Sequence, residues 1–173
     1  MTERDSEKVF CSNCSAEGKR TVGVYPFQES GLANLTLIGI DLIECASCGN
    51  VDPIIPDVND LMRAIAWYIA TQRFRLRGED VRFLRKYLRM TGKDFATLLG
   101  VDNTTLSKWE NGADPIGTAN ERLIRSVALA LGDGLKERSE EGVRTFTWIS
   151  EEEYSRGQMN VDMKTLEVET SAR

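Results

Sequence analysis

The chain has 173 residues, 41% hydrophobic and 28% charged, with four prolines and no histidine. That is a globular composition for one or two domains, and no apolar run approaches the roughly 20 residues that a bilayer-spanning helix needs. The net charge of −5 speaks against nucleic acid only as a whole-chain sum: residues 63–131 hold twelve basic and seven acidic side chains, 1–62 hold four and ten, and 132–173 hold six and ten. The middle segment therefore suits phosphate. The acidic ends suit a basic partner or ordinary solvated surface. The first residues, MTERDSEKVF, lack the apolar core of a signal peptide, so a cytoplasmic location is expected. Histidine, a serine-nucleophile elbow and a phosphate-binding glycine loop are all missing from the sequence, so hydrolytic catalysis is not expected.

Cys11, Cys14, Cys45 and Cys48 are the only cysteines and form two CxxC pairs 30 residues apart. Two such knuckles place four thiolates for a tetrahedral Zn²⁺ ion, one per chain and structural, because four thiolates leave no open coordination position. Gly49 suits the turn after Cys48, whereas Ser15 is less usual after Cys14. Two disulfides are the alternative in an oxidising compartment. A rubredoxin-like iron site has a similar spacing and remains a rival for this module. Between the knuckles, Thr21–Phe27 and Leu35–Ile43 read as strands around the turn-prone Glu29-Ser30-Gly31. So short a module buries little core, so the metal is expected to supply much of its folding free energy.

Pro53 and Pro56 are expected to interrupt any strand before a helix that starts at Asp57 and runs to about Phe74. Val58, Leu61, Met62, Ile65 and Ile69 form its apolar stripe. Arg73, Arg75 and Arg77 would sit at its negative end or meet phosphate. Glu79–Met90 reads as the next helix, with Val81, Leu84 and Leu88 inward and Thr91 as the following cap. In GKDFATLLGVDNTTLSKWENG, Gly92 to Gly112, Gly100 marks a sharp turn between two short helices. Ala96 permits close crossing, and Leu106 and Trp109 pack back on Phe95, Ala96 and Leu99. These offsets form the helix-turn-helix pattern. Asn103, Thr104, Thr105 and Lys108 lie near the exposed start of the second helix, where donors can reach base edges in the major groove of double-stranded DNA. Asn120–Leu131 is another helix, with Leu123, Ile124, Val127 and Leu131 apolar, stopped by Gly132 and Gly134. In the tail, Val143–Ile149 and Val161–Val168 have the composition of strands, flanking an acidic loop at Glu151, Glu152 and Glu153.

The helix-turn-helix stretch resembles the Xre/Cro type of bacterial and phage repressors: Leu106, Ser107, Trp109, Glu110, Asn111 and Gly112 fall on its signature. The resemblance implies a buried Arg85–Glu110 ion pair, a DNA-backbone contact at Asn111, and a homodimer reading a palindromic operator. Gly92 stands where that family usually has glutamine. Over residues 8–131 the combination with a Cys₄ module resembles the MqsA-type antitoxins, also called YgiT-type zinc-finger proteins. In that family the zinc module neutralises a small ribonuclease toxin, and the dimeric C-terminal domain represses the operon. Thr104 and Lys108 match its base-reading positions, with lysine in place of a common arginine.

The expected fold class is α+β. It comprises a Cys₄ zinc-binding β module (1–55), a linker helix (56–76), an all-α five-helix Xre/Cro-like DNA-binding domain (77–132) and an extension with a short β-hairpin (133–173). The expected function is a DNA-binding repressor and antitoxin with no membrane association. A standalone zinc-containing regulator is the alternative, and an iron redox module fused to a DNA-binding domain is a remoter one.

Overall fold

Residues 8–148 and 157–171 are described by the computed structural model. Strand β1 (Val9–Phe10) pairs with β2 (Glu17–Pro26), which pairs antiparallel with β3 (Leu35–Glu44). Alternation along β3, reset by an extra residue at Gly39, buries Leu35, Leu37, Ile40 and Leu42 on one face, as a half-buried strand requires. Two strands share the other edge of β3. β4 (Val51–Ile54) runs antiparallel beside Asp41–Glu44, and β5 (Gln158–Asp162) runs parallel beside Leu35–Ile38. β6 (Val168–Ser171) completes a hairpin with β5, so the C-terminal strands belong to the N-terminal sheet.

Pro53 does not interrupt a strand. It sits inside β4 opposite Leu42, on a strand that among the described residues pairs only with β3, and such an edge tolerates a residue without an N–H.

Among the described residues, six helices follow β4 in chain order. α1 (Val58–Thr71) is capped by Asp57, which accepts hydrogen bonds from the Asn59 and Asp60 amides. It ends at Thr71 rather than near Phe74, so Arg73, Arg75 and Arg77 lie beyond its last turn. Leu61, Ile65 and Ile69 are buried as expected, while Val58 is exposed. α2 (Gly78–Tyr87), α3 (Gly92–Leu99), α4 (Asn103–Glu110) and α5 (Thr118–Leu131) form the helix-turn-helix unit. The stretch expected as a strand from Val143 is helical instead. α6 (Ser139–Arg144) runs into a 3-10 turn over Thr145–Trp148, with Thr145 Oγ1 donating to the Gly142 carbonyl and Phe146 buried. Packing against α1 and α5 overrides the β-branched and aromatic composition. Ile149 and Glu151–Glu153 lie outside the described residues. Among the described residues, no helix is long and apolar enough to cross a membrane.

The sheet and the helices share one core. Leu37, Met159 and Val161 from the sheet join Leu61, Ile65, Val81, Leu84, Phe95, Leu106, Ile124 and Leu129 from the helices. Within it lie charges that composition alone does not reveal. Glu121 and Arg125, one helical turn apart on α5, are both fully buried and paired at 2.8 Å. Arg125 also donates to the carbonyls of Ile69, Ala70, Gln72 and Phe74, closing the C-terminal end of α1. Glu121 further accepts from Arg75 Nε at 2.7 Å and from the Leu76 amide at 3.0 Å. Arg75, expected at the negative end of the helix or at phosphate, is thus an internal partner of Glu121. Removing one member of a buried ion pair strands the other charge, so Glu121→Ala is expected to cost about 3–5 kcal/mol in a urea unfolding titration. Arg138→Ala, which breaks the exposed pair with Glu141, is expected to cost under about 1 kcal/mol. Equal losses for the two variants would contradict this ranking.

Candidate metal centre and nucleic-acid interface

The knuckles are two tight turns at one end of the sheet. In each, the amide of the residue after the second cysteine closes on the carbonyl of the first: Ser15 N to Cys11 O at 3.0 Å and Gly49 N to Cys45 O at 2.9 Å. Both closing residues take positive φ, 58° at Ser15 and 73° at Gly49, so the serine does the same task as the glycine. The four Sγ atoms lie within 4.8 Å of one another. Close approaches cross between knuckles, 3.6 Å for Cys11–Cys48 and 3.5 Å for Cys14–Cys45. Ligands about 2.3 Å from a tetrahedral ion stand about 3.8 Å apart, so this arrangement can hold a metal ion.

Donors surround the sulfurs. The Asn13 amide points at Cys11 Sγ, and the Asn13 and Asn50 side chains approach Cys48 Sγ and Cys11 Sγ. The Cys48 amide is the main cause that draws the Cys45 thiol down to about 6. Cys11 is also lowered, chiefly by the Cys14 amide. At Cys14 the Ala16 amide lowers the value, but the thiols of Cys45 and Cys48 outweigh it, pushing it up to about 12. Four thiolates in contact repel one another, and a cation is what lets all four ionise together. Asp52, from β4, ties the knuckles to each other. It accepts from the Ser12 hydroxyl at 2.6 Å, the Ser12 amide at 3.0 Å and Asn50 Nδ2 at 2.7 Å. The Ser12 hydroxyl is the main cause that lowers the Asp52 carboxyl.

In the helix-turn-helix unit, Gly100 takes φ 71°, a left-handed turn that a side chain would strain, and its amide closes α3. Leu106 and Trp109 are buried with Phe95, Ala96 and Leu99, as the spacing requires. α2 meets the end of α4 so closely that a Cβ at Gly78 would run into the carbonyls of Trp109 and Glu110. Asp102 caps α4, accepting from the Thr105 amide at 2.9 Å and hydroxyl at 2.5 Å. That hydroxyl is the main cause that lowers the Asp102 carboxyl.

The residues singled out from the sequence fall in one neighbourhood with differing freedom. Asn103, Thr104, Lys108 and Asn111 are exposed, while Thr105 is half-buried with its hydroxyl engaged by the cap. Asn103 leans over α3, where a Cβ at Gly92 would lie 3.1 Å from its Oδ1. Lys108 is paired with Asp114 at 3.2 Å. Glu110 and Arg85 form a two-pronged ion pair at 2.6 and 2.9 Å, and Arg85 also donates to the Met90 carbonyl. The hydrogen bonds that Arg85 donates to the Glu110 carboxylate are the main cause that raises Arg85. Sequence reasoning missed Arg82, which approaches Glu110 at 3.6 Å and donates to the Glu110 carbonyl and to Asn111 Oδ1. It also missed Asp52 and the Glu121–Arg125 pair. Only the last left a signal, opposite charges four apart on a predicted helix.

Residues 81–132 match the helix-turn-helix family HTH_3, of the Xre type, over a segment that opens in α2 and closes just after α5. The match suggests a DNA-binding transcription regulator. No curated protein and no solved structure matches the chain. For the cysteine cluster, Asp52→Ala removes the tie between knuckles without touching a sulfur. It is expected to weaken metal binding about 10–100-fold in chelator competition, the usual loss when an outer-shell partner goes. Unchanged affinity would make Asp52 a bystander.

Proposed function

We propose that this protein is a sequence-specific, homodimeric operator-binding repressor with a structural Zn²⁺ ion, and that it serves as the antitoxin of a type II toxin–antitoxin pair. The observation that carries the DNA-binding part is the exposed polar start of α4 on a domain that matches the helix-turn-helix family. In this reading Asn103, Thr104 and Lys108 reach base edges, and Asn111 meets a phosphate. Thr105 fixes the start of the helix through Asp102. Lysine reads guanine as a point charge, without the planar fork of an arginine.

Two further surfaces support the finer reading. α5 exposes Leu123 and Leu131, with half-buried Val127 between them. This stripe at helical spacing suits a second copy, which would set two reading helices about 34 Å apart on a palindrome. On the outer face of the sheet Val22, Val24 and Ile38 are exposed, with Ile38 directly opposite Val24. That apolar patch, on a segment of net charge −6 over residues 1–62, suits a small basic toxin. Four sulfur ligands suit zinc or iron. A colourless protein with one zinc per chain agrees with the reading, and a red protein with visible absorbance supports iron instead.

Lys108→Ala is expected to weaken operator binding by about 1–3 kcal/mol in a mobility-shift titration, and unchanged affinity would count against the reader role. Leu131→Glu is expected to move the sedimentation of the protein from dimer to monomer. Co-expression with the neighbouring gene, followed by pull-down and growth rescue, tests the antitoxin part. Operator binding without rescue would leave a standalone regulator.

A further inference from the structure

We propose that Arg82 is the positioning residue that aims Asn111 at the DNA backbone. It captures the oxygen of the side-chain amide and leaves the NH₂ group facing outward. The inference rests on the operator-binding reading above and deepens it.

An arginine only donates hydrogen bonds. The Asn111 atom 2.6 Å from Arg82 Nη2 is therefore the oxygen, and the amide cannot turn over without losing that bond. The nitrogen is left with Ser107 Oγ at 3.4 Å, at the long limit of a hydrogen bond, on an exposed side chain. Phosphate oxygens only accept, so the orientation decides the outcome: nitrogen outward attracts a phosphate and oxygen outward repels it. Arg82 is itself held in place. It donates to the Glu110 carbonyl at 2.9 Å and lies 3.6 Å from the Glu110 carboxylate, which Arg85 grips from the other side. The series Arg85, Glu110, Arg82, Asn111 thus runs from the α2–α4 contact to the surface as one fixed unit. An amide oriented in advance loses little freedom on binding.

The test uses the full chain and a duplex selected by the wild-type protein from a random-sequence library, with affinity read by fluorescence anisotropy over a salt series. Arg82→Met and Asn111→Ala are each expected to weaken binding about tenfold, the size of one hydrogen bond to a charged group. The double variant is expected to bind no worse than the weaker single, because the two residues act as one contact. Arg82→Lys, which keeps a donor, is expected to recover part of the loss. The slope of log affinity against log salt is expected to stay as in the wild type. A direct arginine–phosphate contact would instead lower it by about 0.9.

Wild-type affinity in Arg82→Met, additive losses in the double variant, or that fall in slope would each overturn the proposal. Should Arg82→Met unfold, Asn111→Asp decides. It keeps an oxygen for Arg82 but replaces the outward NH₂ with a second oxygen, and must bind worse than Asn111→Ala. Equal or tighter binding overturns the proposal. A wild-type chain that selects no duplex would instead remove the operator-binding reading itself.

Discussion

The rest of the molecule depends on the buried contact between α5 and the end of α1. A helix leaves its last carbonyls without partners. Here those of Ile69 and Ala70, with Gln72 and Phe74 just beyond, converge on the Arg125 guanidinium. Taking that cation out of water is costly, and Glu121 offsets it from one turn away on the same helix. Glu121 in turn holds the chain that leaves α1, through Arg75 and the Leu76 amide. The direction in which α2 begins is therefore set by α5, which follows it by some forty residues in the chain. An apolar pair of equal volume could fill the space, but it would leave the carbonyls unpaired and the register of α1 against α5 unspecified.

A second carboxylate repeats the device where α4 ends on α2. Glu110 is gripped by Arg85 and approached by Arg82, which fixes the end of α4 on α2. Between them the two glutamates engage Arg75, Arg82, Arg85 and Arg125, four of the twelve basic side chains in residues 63–131. Arg63 is paired with Asp60, and Lys108 with Asp114. The basic surplus that pointed to phosphate in the sequence is thus partly internal structure. A count of charges along a segment overstates the attraction a surface can exert on DNA. What remains outward is a smaller set of cations than the count along the segment implies.

The helix-turn-helix was legible because its signals are local: a left-handed turn at Gly100, a cap at Thr91, and apolar residues at fixed offsets. The cysteine cluster was legible for the same reason, since each knuckle is specified within a few residues. What failed was non-local. The Val143 stretch has strand composition, but its neighbours are α1 and α5, and packing against helices decided its form. Pro53 has the look of a breaker because nothing in the sequence says which edge of a strand will be empty. The pairing of β5 with β3 joins residues more than a hundred positions apart, and no periodicity announces it. Among the proposed DNA contacts, Asn103, Thr104 and Lys108 are nominated by position along one helix, where the structure leaves them exposed. Arg82 could not be, because its contacts with Glu110 and Asn111 are made across two helices.

That distant pairing changes what the metal has to do. β3 is one continuous strand with two different supports. Beside Asp41–Glu44 it carries β4 and the knuckles, and beside Leu35–Ile38 it carries the hairpin of β5 and β6. Leu35, Leu37, Met159 and Val161 are buried in the core shared with α1, and three or more strands packed on a helix can stand without a metal. The expectation that the ion supplies much of the folding free energy was drawn for an isolated module, which this sheet is not. An ion at the cysteines has only two turns and the short strands beside them to order, since the sheet is already anchored by the far end of the same strand. Losing the ion would then loosen the knuckles as a local unit while leaving α1, and with it the crossing into α2, in place.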